Sequence, residues 1–106
     1  MALFESRKML TVNEGINRAR TQADSYLIDI RPKEEYKKGH VSGAIHIPMT
    51  NLDLIKARPF TAETKLYVIG DYKTNPKKAV KELKKMGYKG AVASGNMEEH
   101  HGILKK

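Results

Sequence analysis

Two short apolar runs, residues 26–30 and 66–69, limit the folds open to this chain more than any other feature. Each has the length of a strand and is too apolar to keep one face in water. Strands of this kind are typical of parallel sheets that carry helices on both sides. The sequence therefore predicts an α/β protein.

The segments around these runs have the periodicity of amphipathic helices. Thr11 and Glu14 form the pattern of a capping box at the start of the first helix. The clearest helix is predicted over residues 76–86, with Asn75 as its N-cap and Pro76 as its first residue. Its apolar face comprises Ala79, Val80, Leu83 and Met86.

Weaker patterns predict the remaining elements. They are a helical turn from Pro32, a brief strand closed by Pro48, a helix over 50–56, a strand over 88–93, a turn at 94–96 and a helix over 97–104. Together they predict a single domain over residues 1–106, with an open parallel sheet of four to five strands in a three-layer α/β fold. Such sheets bind ligands where their strands end, here after Arg31 and over residues 70–76.

Composition excludes several chemistries. The 106 residues include no cysteine, which rules out disulfides, thiolate metal sites and a cysteine nucleophile of this chain's own. We also expect no metal site, because His100 and His101 are adjacent in sequence and point apart on a helix. No cofactor motif is present. The first residues lack the apolar core of a signal peptide and no later run is long enough to span a bilayer, so a cytoplasmic location is expected.

The formal net charge of +8 favours an anionic partner, either a small anion or a protein. Nucleic acid is not the expected partner, because the lysines fall mostly in helical and terminal segments and no aromatic residues interleave with a basic stripe.

Residues 27–36 read LIDIRPKEEY, and residues 39–48 read GHVSGAIHIP. This pair of motifs closely resembles the rhodanese pattern, departing from it at Ser42, where a proline is usual. The order of the later elements is consistent with that family over nearly the whole chain. The resemblance implies a rhodanese-like fold.

Active rhodaneses carry a persulfide on a cysteine that opens a loop between a strand and a helix, so the resemblance directs attention to residues 70–76. Counting back from the helix places the missing cysteine at Gly70, with Asn75 in the usual basic position. Counting forward from Tyr67 places it at Val68, and a one-residue slip places it at Asp71. No register supplies a thiol.

The sequence therefore predicts a catalytically inactive module for binding or regulation, with weak anion binding at the former active-site loop. The expected binding residues are Gly70, Asp71, Tyr72, Lys73, Thr74, Asn75, Lys77 and Arg31. Helix N-terminal amides favour anions, although Pro76 removes one donor. Arg31 is expected to pair with Glu34 or Glu35. The alternative is a hydrolase that uses Asp71 or a histidine on a phosphate or thioester.

Overall fold

A computed structural model describes residues 9–106 of the chain. Its elements are α1 (Val12–Thr21), β1 (Ser25–Asp29), α2 (Lys33–Lys38), β2 (Ile45–His46), a 3₁₀ helix (Met49–Ala57), β3 (Lys65–Gly70), α3 (Pro76–Lys85), β4 (Ala91–Asn96) and a 3₁₀ turn (Met97–Glu99). Within the described residues four strands form one sheet in the order β2-β1-β3-β4, and every pairing is parallel. The predicted α/β class and parallel sheet are confirmed.

Helices cover both faces of the sheet. Alternate residues of β3 therefore point into two separate cores, one on each face. Val68 is fully buried in a core that includes Leu83 of α3. Ile69, its neighbour, is fully buried in a second core that includes Val12 of α1. Burial on both faces explains why the β3 run has no polar alternation.

Both long helices begin as predicted. The Thr11 hydroxyl accepts a hydrogen bond from the Glu14 N–H at 3.1 Å, and the Glu14 carboxylate accepts one from the Thr11 N–H at 2.8 Å. The Asn75 side chain caps α3, whose first residue is Pro76. No helix among residues 9–106 is long and apolar enough to cross a membrane.

The predicted turn at residues 94–96 is wrong, because β4 continues through them to Asn96. Between Val68 and Gly70 the β3–β4 register shifts, so that β4 carries one extra residue. Gly95 has a φ of +86°, a conformation that glycine adopts without strain. The glycine therefore makes a bulge in the strand.

The predicted last helix over 97–104 is also wrong beyond its first turn. Residues 97–99 form a 3₁₀ turn, and the chain then becomes extended at His100. Lys105 and His40 exchange two backbone hydrogen bonds of 2.7 and 2.8 Å. These long-range bonds, with Gly102 inside the segment, outweigh the weak helical pattern.

The helix predicted over residues 50–56 forms as the 3₁₀ helix, with a kink at Asn51. Two of its apolar residues, Leu52 and Ile55, are buried in the core under α3.

Candidate functional site

The carboxyl ends of β1, β3 and β4 lie side by side, and the loops that follow them enclose a groove of about 380 Å³. Its lining consists of Pro32, Glu34 and Glu35 after β1, Asp71, Tyr72 and Lys73 after β3, and Glu98 after β4. The groove lies where the sequence places the ligand site of a parallel sheet.

Asp71 turns its side chain back into the β3–α3 loop and is only 9% exposed. Its Oδ1 atom accepts hydrogen bonds from the Thr74 N–H at 2.8 Å, the Thr74 hydroxyl at 2.6 Å and the Lys73 N–H at 3.1 Å. The Asp71 N–H in turn donates to the Thr74 hydroxyl. The carboxylate therefore takes up hydrogen-bond donors that an external anion at this loop would use.

Three further amides of this segment also have side-chain partners. The Tyr72 N–H donates to the Glu98 carboxylate at 3.1 Å. The N–H groups of Lys77 and Lys78 donate to the Asn75 side-chain oxygen at 2.9 and 3.3 Å. An anion that uses any of these amides must displace an oxygen that is already hydrogen-bonded to it.

Gly70 is the last residue of β3, so the predicted loop begins one residue later than the sequence suggests. A Cβ atom at Gly70 would clash with the Thr74 carbonyl oxygen and would lie 3.3 Å from Cδ1 of Ile30. The alternative register at Val68 falls in the middle of β3, fully buried, and is incompatible with a loop residue.

Arg31 does not pair with Glu34 or Glu35 as predicted. Its guanidinium forms a bidentate ion pair with Asp29, with Nη2 at 2.9 Å from Oδ2 and Nε at 3.1 Å from Oδ1, and Nη2 also donates to the Gly39 carbonyl at 2.8 Å. Asp29 is fully buried and Arg31 is 6% exposed. Arg31 pairs with Asp29 and not with the glutamates because a buried guanidinium needs a buried counterion.

Charge at the groove is mixed. Lys73 and Lys77 are exposed, but four carboxylates line the groove: Glu34, Glu35, Asp71 and Glu98. Residues 70–78 carry three lysines and one acid, Asp71, so this segment is basic in sequence, and the other three carboxylates come from segments far along the chain. Their negative charge opposes a small anion at the groove.

His40 and His46 each contact a backbone carbonyl through a ring nitrogen. Nδ1 of His40 lies 2.9 Å from the Tyr36 carbonyl, as expected for a residue that fixes the Gly-His turn, and Nε2 of His46 lies 2.7 Å from the Arg31 carbonyl. The Tyr36 ring stacks on both imidazoles. Burial lowers the pKa of His100, and the neighbouring charge of His101 lowers it further. Among residues 9–106 no group of three or more histidines and carboxylates is placed to hold a metal ion.

Sequence reasoning missed two residues at this end of the sheet. Glu98 reaches the loop only because β4 lies beside β3, a pairing that no local pattern reveals. Asp29 lies at the end of β1, and its pairing with Arg31 depends on the burial of both side chains.

A family model of the rhodanese-like domain matches residues 11–99. An adenylyltransferase and sulfurtransferase of Ogataea parapolymorpha is 37% identical over 71 residues, which are 67% of this chain. The chain spans only 18% of that relative's length.

Solved structures give the same fold. The protein SSP1007 of Staphylococcus saprophyticus superimposes with a TM-score of 0.74 at 24% identity, covering 93% of this chain and 99% of that one. A rhodanese with anions from E. coli superimposes with a TM-score of 0.66 at 26% identity, covering 77% and 98%. The four-stranded parallel sheet, the β3–α3 loop and the family match agree, and this cysteine-free chain belongs to the rhodanese-like family.

Proposed function

We propose that this chain is a non-catalytic rhodanese-like module that acts by binding, with at most weak anion binding at the β3–α3 loop. The observation that carries the proposal is the Asp71 carboxylate, which accepts the loop's own hydrogen bonds from Lys73 and Thr74. Because these N–H groups are hydrogen-bonded within the loop, they stabilise its conformation and are not free to bind a reacting group.

Sulfur transfer requires a polarisable thiolate that can accept and release sulfane sulfur. Gly70 has no side chain, and the Asp71 carboxylate cannot form a persulfide. The absence of cysteine from the whole chain supports the lack of sulfurtransferase activity, whichever position corresponds to the family's cysteine.

Some affinity for small anions is still expected. Lys73 and Lys77 are exposed beside the loop, and a related rhodanese from E. coli has been solved with anions. Asp71 and Glu98 oppose such binding, because their oxygens occupy the amides and add negative charge. We therefore expect weak binding that increases when Asp71 is neutralised.

No observation favours the alternative of a hydrolase. A nucleophilic Asp71 would need a free oxygen facing substrate and a base oriented beside it. Oδ1 of Asp71 accepts three hydrogen bonds from the loop, which leaves only Oδ2 for a substrate, and the candidate bases His40 and His46 contact backbone carbonyls.

Two measurements test the proposal. The first is a screen of phosphatase, esterase and thiosulfate-to-cyanide transfer activities with the purified chain and with an Asp71→Asn variant. The second is titration with phosphate, sulfate and thiosulfate, followed by calorimetry and by the backbone chemical shifts of residues 70–78.

We expect no turnover in either protein and small chemical-shift changes at millimolar anion. Turnover that disappears in Asp71→Asn would establish the hydrolase instead. An unchanged spectrum and no heat at any anion concentration would remove the loop from the proposal.

A further inference from the structure

Helix α3 presents a strongly charged surface that the loop chemistry does not use. Its buried side contributes Pro76, Ala79 and Leu83 to the structure. Its solvent side carries five exposed lysines, here called the lysine face: Lys77, Lys78, Lys81, Lys84 and Lys85. The helix is ten residues long, so the face extends for about 15 Å.

The N-terminal part of the lysine face does not stabilise its own helix, whereas Lys84 and Lys85 lie in the last turn, where cations are favourable. Lys77 and Lys78 lie in the first turn, which contains no acidic residue, and cations are unfavourable there because the N-terminus of a helix is the positive end of its dipole. Lys81 is four residues from both Lys77 and Lys85, a spacing at which like charges repel.

Few groups within the protein neutralise these charges. Among residues 9–106 Lys85 is the one member of the face that forms an ion pair, at 3.7 Å from Glu82, and both side chains are largely exposed. Exposed pairs of this kind contribute little. The positive charge of the face is therefore available to a partner.

The surroundings of the lysine face favour a protein over an extended polyanion. The loop that leads into α3 borders the groove with the carboxylates of Glu34, Glu35 and Glu98. A nucleic acid or an anionic membrane that continued past the face would meet this negative charge, whereas an acidic patch of limited size would not. The face also has no arginine to grip phosphates and no aromatic ring to stack on bases.

We propose that the lysine face of α3 docks an acidic segment of a partner protein, through the carboxylates of its aspartates and glutamates. This inference rests on the proposed binding function and names the partner's chemistry. The contact is electrostatic, so it weakens as salt concentration rises.

The probe is a synthetic peptide of alternating glutamate and alanine, titrated into the isotope-labelled full chain. We expect the largest chemical-shift changes over residues 77–85. A Lys77→Glu, Lys81→Glu, Lys84→Glu variant should lose about tenfold in affinity, since several exposed charge pairs disappear together.

The matched control reverses three exposed lysines elsewhere: Lys33→Glu, Lys37→Glu and Lys56→Glu. It changes the net charge equally and should keep most of the affinity. Circular dichroism of both variants checks that they fold, and the shifts of the unmodified chain locate the contact independently of any variant.

Equal loss of affinity in the control, or no peptide binding, would overturn the proposal. So would tighter binding of a DNA duplex or of anionic phospholipid vesicles at the same salt concentration. Catalytic turnover would instead contradict the proposed function, and it is measured without the peptide, so the two failures are distinguishable.

Discussion

The Oδ1 atom of Asp71 and the backbone N–H of Thr74 are hydrogen-bonded at 2.8 Å, inside the loop that would hold sulfur in an active rhodanese. The Thr74 hydroxyl reinforces the contact at 2.6 Å. The Asp71 carboxylate thus accepts hydrogen bonds from amides of its own loop. Two substitutions at this residue can separate the effect of the negative charge from the effect of the hydrogen-bond acceptor.

Replacing Asp71 by alanine should increase the affinity of the loop for phosphate, because the N–H groups of Lys73 and Thr74 lose their side-chain acceptor and the negative charge is removed. Asp71→Asn should give a smaller increase, because the amide oxygen still accepts these hydrogen bonds while the negative charge is removed. Phosphate titration followed by the chemical shifts of residues 70–78 measures both effects.

Asp53→Ala is the control for this series, since Asp53 is an exposed acid on the 3₁₀ helix and its loss changes the net charge equally. Equal phosphate affinities for Asp71→Ala and the unmodified chain would show that the carboxylate does not limit anion binding.

Gly70→Cys should neither restore sulfur transfer nor leave the fold unchanged. Its Cβ atom would clash with the Thr74 carbonyl oxygen, so we expect the free energy of unfolding to fall by about 1–3 kcal/mol, as in overpacked cores. Urea denaturation measures the loss, with Ser42→Cys as an exposed control. A Gly70→Cys protein as stable as the control would mean that the loop adopts another conformation.

Asp29→Asn should destabilise the protein strongly. It removes the charge that neutralises buried Arg31 at nearly constant volume, and breaking a buried ion pair on one side costs about 3–5 kcal/mol. Glu82→Gln removes one partner of an exposed pair and should cost less than about 1 kcal/mol. Similar unfolding free energies for the two variants would contradict the structural role of Asp29.

Acidification should lower stability through His100. Burial lowers the pKa of this imidazole below its ordinary value of 6.5, so the unfolded chain binds the proton more readily than the folded one. The free energy of unfolding therefore falls as the pH drops through the unfolded value and below it. Urea denaturation across this range should give a smaller pH slope for His100→Gln, and an identical slope would refute the assignment.

Local patterns predicted most of the fold. The Thr11 capping box, the Asn75 cap and the apolar run of β3 each depend on neighbours in sequence, and all are present. The C-terminal segment was mispredicted because its conformation depends on pairing with His40, some sixty residues earlier in the chain.

The candidate site was predictable in position but not in chemistry. Parallel strands end together, so the loop after β3 could be found from the sequence. An Asp followed three residues later by a Thr is a turn signal, and it could have indicated that the Asp71 side chain accepts hydrogen bonds from amides of its own loop. The contact of Glu98 with Tyr72 could not, because it requires the order of the strands.

The sequence by itself determined that no thiolate of this chain can act, since that depends only on composition. It also determined the α/β alternation, because hydrophobic periodicity is local. Only the tertiary structure decided that Arg31 forms an ion pair with Asp29. It also decided that carboxylates from other segments line the groove beside the β3–α3 loop. The physical reason is that burial selects Asp29 as the counterion of Arg31, while strand order brings Glu98 to a loop from which it is distant in sequence, and electrostatic interactions depend on distance in space.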